Sequence, residues 1–175
     1  MGYRQEILLT GAGGQGLILA SIILADAAVK EDKNVVQMQS YGPEARGGES
    51  MAGVIMDINI IDYPRITRPT VLLSMNQQSF HKYMKRAGSG CLVIVDSTLV
   101  EEAGDWPVYA YPITGRTLEE LGREIVANIV ALGVVNTLAA LVSFDSLKES
   151  VLEYTPQDSA DLNLRALELG RRLSG

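Results

Sequence analysis

Apolar and polar positions alternate along this chain between two rhythms, short apolar runs of strand length and longer segments with helical spacing. Residues 6–10 form a buried-strand pattern, and residues 14–32 are rich in Leu, Ile and Ala at helical spacing. A second strand is predicted over 34–39. The runs 71–75, 91–96 and 108–111 suit a sheet covered on both faces, with a helix over 77–86 between the first two. Residues 51–61 carry Val and Ile but also Asp57 and Asn59, which predicts a strand bending into a hairpin; Pro64 and Pro69 punctuate the loop beyond. The remainder is helical, over 118–142 with a break near Gly133, then 147–152 and 161–173. The expectation is an α/β chain forming one domain over residues 1–175: a Rossmann-like three-layer arrangement with a mostly parallel sheet and a helical C-terminal third.

One stretch stands out for its continuity. Residues 125–142 are nearly all apolar and approach the minimum length of a membrane span. Asn128, Gly133, Asn136 and Thr137 interrupt them, so a core helix is the first reading, an interface helix the second and a membrane span the last. The hydrophobic content of 47% adds the expectation that the isolated chain associates with itself to cover apolar surface. A net charge of −6 provides no field for nucleic acid or anionic lipid. The single cysteine, Cys91, lies in an apolar run and has no internal disulfide partner. One cysteine and one histidine cannot hold an iron–sulfur cluster or a structural zinc. The first residues lack a signal-peptide pattern, which leads to the expectation of a cytoplasmic protein.

The chemistry concentrates where the first strand meets the first helix. Gly11-Ala12-Gly13-Gly14-Gln15-Gly16 is a turn suited to an anion, because glycines admit positive φ and leave backbone N–H groups bare at a helix start. Gly11, Gly13 and Gly16 match the dinucleotide spacing G-x-G-x-x-G. A nicotinamide site also needs an acidic residue at the end of the second strand, and there the chain has Gln39, Ser40 and Tyr41. Asp32 has about the right spacing but precedes that strand. NAD is therefore disfavoured, while another phosphate-bearing ligand, or a tight turn that binds nothing, stays open.

The second strand leads into Gln39-Ser40-Tyr41-Gly42-Pro43-Glu44-Ala45-Arg46-Gly47-Gly48-Glu49-Ser50. In a parallel sheet this loop emerges at the same edge as the glycine turn. Arg46 beside Gly47 and Gly48 can grip a phosphate or carboxylate through a guanidinium fork and exposed N–H groups. The alternative is an ordinary loop in which Arg46 pairs with Glu44 or Glu49.

Taken together, the Gly-Ala-Gly-Gly-Gln-Gly turn and the Ser-Tyr-Gly-Pro-Glu-Ala-Arg-Gly-Gly-Glu-Ser loop resemble the gamma subunits of 2-oxoacid:ferredoxin oxidoreductases, most nearly those of the 2-oxoglutarate enzymes. The resemblance extends through residues 61–64 with Pro69, the run 71–77, the strand ending at Asp96-Ser97, and Ala127-Asn128 with Ala131-Leu132-Gly133. Thr70 departs from it, since many relatives have Asp before that strand. The resemblance implies a subunit of an enzyme that decarboxylates a 2-oxoacid oxidatively to an acyl-CoA and reduces ferredoxin. It places thiamine diphosphate, Mg²⁺ and the iron–sulfur clusters on alpha, beta and ferredoxin-like delta partners. Coenzyme A is the contact it implies for this chain, with Gly11, Gly13, Gly14, Gln15, Gly16, Ser40, Tyr41, Arg46, Gly47 and Gly48 as the candidate residues. His81, on an amphipathic helix, reads as a surface or partly buried residue and not as a catalytic base. A stand-alone nucleotide-binding domain and a purely structural scaffold subunit remain as competing readings.

Overall fold

The computed structural model describes residues 4–41 and 49–175. Six strands make one sheet, β1 (Gln5–Ala12), β2 (Asn34–Tyr41), β3 (Glu49–Asp57), β4 (Val71–Ser74), β5 (Leu92–Asp96) and β6 (Tyr109–Tyr111), in the order β2-β3-β1-β4-β5-β6. β4, β5 and β6 continue parallel from β1, whereas β3 runs antiparallel to both β1 and β2. The sheet is therefore mostly parallel with one reversed strand. Chain length explains the reversal: residues 42–48 between β2 and β3 are too few for a crossover, which takes about a dozen residues or more. The predicted hairpin at 51–61 is this β3, and its partner is the preceding strand. It ends at Asp57, whose carboxylate accepts the Asn59 backbone N–H at 3.0 Å and so turns the chain away.

Alternate residues of each strand serve opposite faces. Ile7, Leu9, Val54, Met56, Val71, Leu73 and Ile94 face one core, packed under α1 (Leu17–Val29), α4 (Ala127–Ala139), α5 (Phe144–Tyr154) and α6 (Ala160–Ser174). Leu8, Ile55, Leu72, Val93 and Val95 face a thinner layer built by α2 (Gln77–Tyr83), Met84 and the loop residues Ile66 and Val100. The three layers are thus unequal, because most of the helical mass follows β6 in sequence and collects on one side.

The helix expected over 118–142 divides between two helices. α3 (Ile113–Leu121) stops at Gly122, left-handed at φ 68°, and a short 3₁₀ turn at Glu124–Val126 leads into α4. The expected break near Gly133 is thus displaced to Gly122. Gly133 lies inside α4, where it meets Gly170 of α6. A Cβ on Gly133 would stand 2.5 Å from the Leu167 carbonyl oxygen, and one on Gly170 would stand 2.9 Å from the Gly133 Cα. The glycines let two helix backbones touch; they do not interrupt either. Every residue of α4 from 127 to 136 is buried, which makes it a core helix. It packs against the chain's own α1 and α6. Among the described residues no helix is long and apolar enough to cross a membrane.

Candidate functional site at the carboxyl edge of the sheet

The glycine turn is held from two sides. Gln15 folds back so that its side-chain oxygen accepts the Ala12 N–H at 2.7 Å, while its amide donates to the Met75 carbonyl at 3.1 Å. This couples the end of β1 to the residue just past β4. A Cβ at Gly11 would overlap the Gln15 side-chain oxygen and stand 2.9 Å from Leu17, so the first glycine makes room for the lock. Gly14 and Gly16 adopt φ 92° and 72°, where L side chains are strained. Gly16 is the N-cap of α1 and offers no side-chain cap, which leaves the first N–H groups of the helix to other acceptors. Its carbonyl accepts the Asn128 side-chain amide at 3.0 Å, and a Cβ at Gly16 would stand 2.5 Å from that nitrogen.

A cleft of about 260 Å³ opens in front of this turn, between Gly14 and Gln15, Met75, Thr114 and the Glu124–Val126 turn. It sits where the strand order divides: from β1 the chain goes to β2 and β3 on one side, then to β4 on the other. In open α/β sheets that point is where ligands bind. Ile125 stands 80% exposed at the rim.

The cleft wall at β5 is anchored by Asp96. Its carboxylate is fully buried; one oxygen accepts the Thr98 N–H at 3.0 Å, and the other accepts the Thr114 N–H at 3.0 Å and the Thr114 hydroxyl. Both oxygens are engaged in tying β5 to the start of α3, so Asp96 is a structural anchor. Thr70 lies at the opposite end of β4, where its hydroxyl donates to Gln5 at 2.8 Å and accepts the Glu6 N–H at 3.1 Å. Whatever a carboxylate does there in relatives, this position is a sheet length away from the glycine turn. His81 is exposed on α2 and hydrogen-bonded to Gln77 at 3.0 Å. Among the described residues no group of three His, Cys, Asp or Glu could hold a metal ion.

Strand register brings the second motif to the same edge. Tyr41 of β2 pairs with Ser50 of β3, and Ser50 pairs with Gly11 of β1. The chain thus leaves β2 about 10 Å from the glycine turn, two strand spacings away. Ser40 and Tyr41 end β2, while Arg46, Gly47 and Gly48 lie outside the described residues. β3 between β1 and β2 gives a further argument against NAD, because the strand end that would carry the ribose-binding acid is displaced by one strand. Asp32, at φ 58° in the turn before β2, is at the far edge. Sequence reasoning did not single out Asn128, Met75, Thr114 or Glu124 as neighbours of the turn. Asn128 alone left a signal, a polar amide in an otherwise apolar helix.

The protein-family model for pyruvate ferredoxin/flavodoxin oxidoreductase matches residues 6–173. The 2-oxoglutarate synthase subunit KorC of Methanocaldococcus jannaschii is 41% identical over 172 residues, which cover 95% of this chain and 92% of that one. A keto/oxoacid ferredoxin oxidoreductase gamma subunit from Geobacter sulfurreducens PCA, of known structure, superposes with a TM-score of 0.85 at 40% identity over 97% of this chain and 98% of its own. The 2-oxoglutarate:ferredoxin oxidoreductase of Magnetococcus marinus, solved with 2-oxoglutarate, coenzyme A and succinyl-CoA, shares the fold at a TM-score of 0.82 and 23% identity, matching 98% of this chain but 31% of that one. By full-length sequence match and by fold, this chain belongs to the pyruvate ferredoxin/flavodoxin oxidoreductase family, among its separate gamma-type subunits.

Proposed function

We propose that this chain acts as one gamma domain in a 2-oxoglutarate:ferredoxin oxidoreductase and supplies contacts to coenzyme A there. Thiamine diphosphate, Mg²⁺ and the iron–sulfur clusters reside on alpha, beta and delta partners and supply the decarboxylation and electron-transfer chemistry. This chain's part is to present a rigid anion-binding edge. The observation that carries the reading is the cleft at the sheet's division point, walled by a turn that Gln15 and Asn128 hold open. Glycine N–H groups and the first turn of α1 favour a phosphate there. β2 ends on the same edge, and the segment that follows it carries Arg46, the residue we assign as a second, charged donor. Exposed Ile125 at the rim is the kind of apolar contact that a partner subunit covers when it closes the cleft.

The test is Arg46→Ala in the reconstituted complex. Loss of one charge-assisted hydrogen bond to a phosphate weakens the apparent affinity for coenzyme A by about 1 to 3 kcal/mol, roughly fivefold to 150-fold. An unchanged affinity removes the ligand role and leaves the two loops as subunit contacts. Co-purification of thiamine-diphosphate-binding and ferredoxin-like chains tests the subunit assignment separately.

A further inference from the structure

A second cleft, of about 550 Å³, opens at the other edge of the sheet, where β4 and β5 begin. Arg68, Pro69 and Thr70 form one wall, and the run from Lys85 to Cys91 forms the other. Three cations, Arg68, Lys85 and Arg86, line this space, and no carboxylate does. Elsewhere on the molecule, ion pairs engage Arg4, Lys30, Lys33, Arg116, Arg171 and Arg172. Among the described residues, none of the three cleft cations has an acidic partner.

The nearest buried acid is already engaged. Glu6 accepts the backbone N–H groups of Thr67 and Arg68 at 2.7 and 3.0 Å and pairs with Arg4 at 2.9 Å. Arg86 donates one N–H to the Ile66 carbonyl at 2.8 Å, which seats its guanidinium on the wall and leaves further donors free to point elsewhere. Between the cations and Cys91 runs Gly88-Ser89-Gly90. Space is open at the Cβ positions of both glycines, and Gly90 has φ 93°, so a ligand can approach bare backbone. Burial pushes the Cys91 thiol up to about 11, so it stays neutral and adds no competing negative charge. Three like charges lining one cleft without a counter-charge repel one another. In a chain of net charge −6, that grouping calls for an anion from outside.

We infer that this cleft binds the diphosphate group of a small molecule, at a site separate from the glycine turn. Its volume is in the range of small-molecule sites. A diphosphate brings two to three negative charges to match three cations, whereas a single carboxylate would leave two unmatched. Thr70 and Met75, at the two ends of β4, are separated by about 17 Å of extended chain, so one diphosphate cannot occupy both edges. The inference is independent of the coenzyme A assignment above.

Calorimetric titration of the full chain with inorganic pyrophosphate and with adenosine diphosphate, at about 20 mM salt where screening is weak, tests it. Saturable one-to-one binding is expected. The double variant Arg68→Gln with Lys85→Gln should weaken it at least tenfold while circular dichroism and the melting temperature stay unchanged, because both side chains are exposed. Arg46→Ala should leave it unaltered. Tighter binding of the nucleotide identifies a nucleotide as the source of the diphosphate, and equal binding identifies the inorganic ion. The inference is overturned by absence of saturable binding, by equal affinity of the double variant, or by an affinity that falls with Arg46→Ala and so places the anion at the glycine turn. Binding of polyglutamate without binding of either diphosphate also overturns it, by assigning the cleft to an acidic partner chain.

Discussion

Gly133→Ala isolates the contact on which the helical layer depends. A Cβ there would lie 2.5 Å from the Leu167 carbonyl oxygen, 3.1 Å from the Gly170 Cα and 3.2 Å from the Arg171 nitrogen. All three are backbone atoms, so no side-chain rotation relieves the overlap. An ordinary carbon–oxygen contact is about 3.4 Å, so α4 and α6 must part by roughly 0.8 to 1 Å. A gap of that size forfeits about a quarter to a half of each dispersion contact across the interface, where Ala166, Leu167 and Leu169 are buried. Overpacking of this kind costs about 1 to 3 kcal/mol, and the rigid backbone puts this site at the upper end. Against it stands about 1 kcal/mol gained from replacing glycine by alanine inside a helix. The net loss is about 2 kcal/mol, or roughly 4 to 8 °C in melting temperature for a chain of this size. Urea melts followed by circular dichroism measure it, with Gly88→Ala, at an open position, as the control within about 0.5 kcal/mol of the parent. Gly170→Ala opens the same gap, so the double variant should cost less than the sum of the two. A Gly133→Ala chain as stable as the parent, or more stable, would refute the backbone contact and with it the reason for both glycines.

Asn128→Ala removes the donor to the Gly16 carbonyl and should lower stability by about 1 kcal/mol. Its larger effect is expected at the glycine turn, as faster amide exchange over residues 13–17; unchanged exchange would mean that Asn128 does not hold the turn. Glu31 gives a pH dependence. Burial pushes its carboxyl up, and hydrogen bonds from Lys33 and the Ser143 N–H outweigh that and hold it down at about 2, against 4.5 for a free group. A depressed carboxylate stabilises above its unfolded value and loses that contribution as pH falls through the folded one. Glu31→Gln should therefore cost on the order of 1 to 2 kcal/mol at pH 7, allowing for partial exposure, and match the parent near pH 2. A difference that persists undiminished at pH 2 would contradict this. Cys91, pushed up to about 11 by burial, should alkylate slowly at pH 8 and faster through pH 10 to 11. Rapid labelling at pH 8 would show the thiol to be exposed.

Period and turn chemistry are local properties, and they were legible in the residues themselves. The apolar runs at 71–75 and 91–96 became β4 and β5 because uninterrupted Val, Leu and Ile suit a sheet covered on both faces. The glycine turn was legible too, since positive φ at Gly14 and Gly16 is a demand that few other residues meet. The two motifs together carried the family, and the family carried the function. Three matters were settled by contacts between segments far apart in the chain. Gly133 suggests a break when read alone, and became a helix crossing because Gly170 came to lie against it. The position of β3 between β1 and β2 depended on which edges pair, and register then brought Tyr41, Ser50 and Gly11 into line at one edge. The cation-lined cleft unites Arg68 with Lys85 and Arg86 across two strand starts. Spacing along a chain encodes what each residue does to its neighbours within a turn or a strand. It does not encode which distant backbone will close on them, because that is chosen by the burial of all the apolar faces at once.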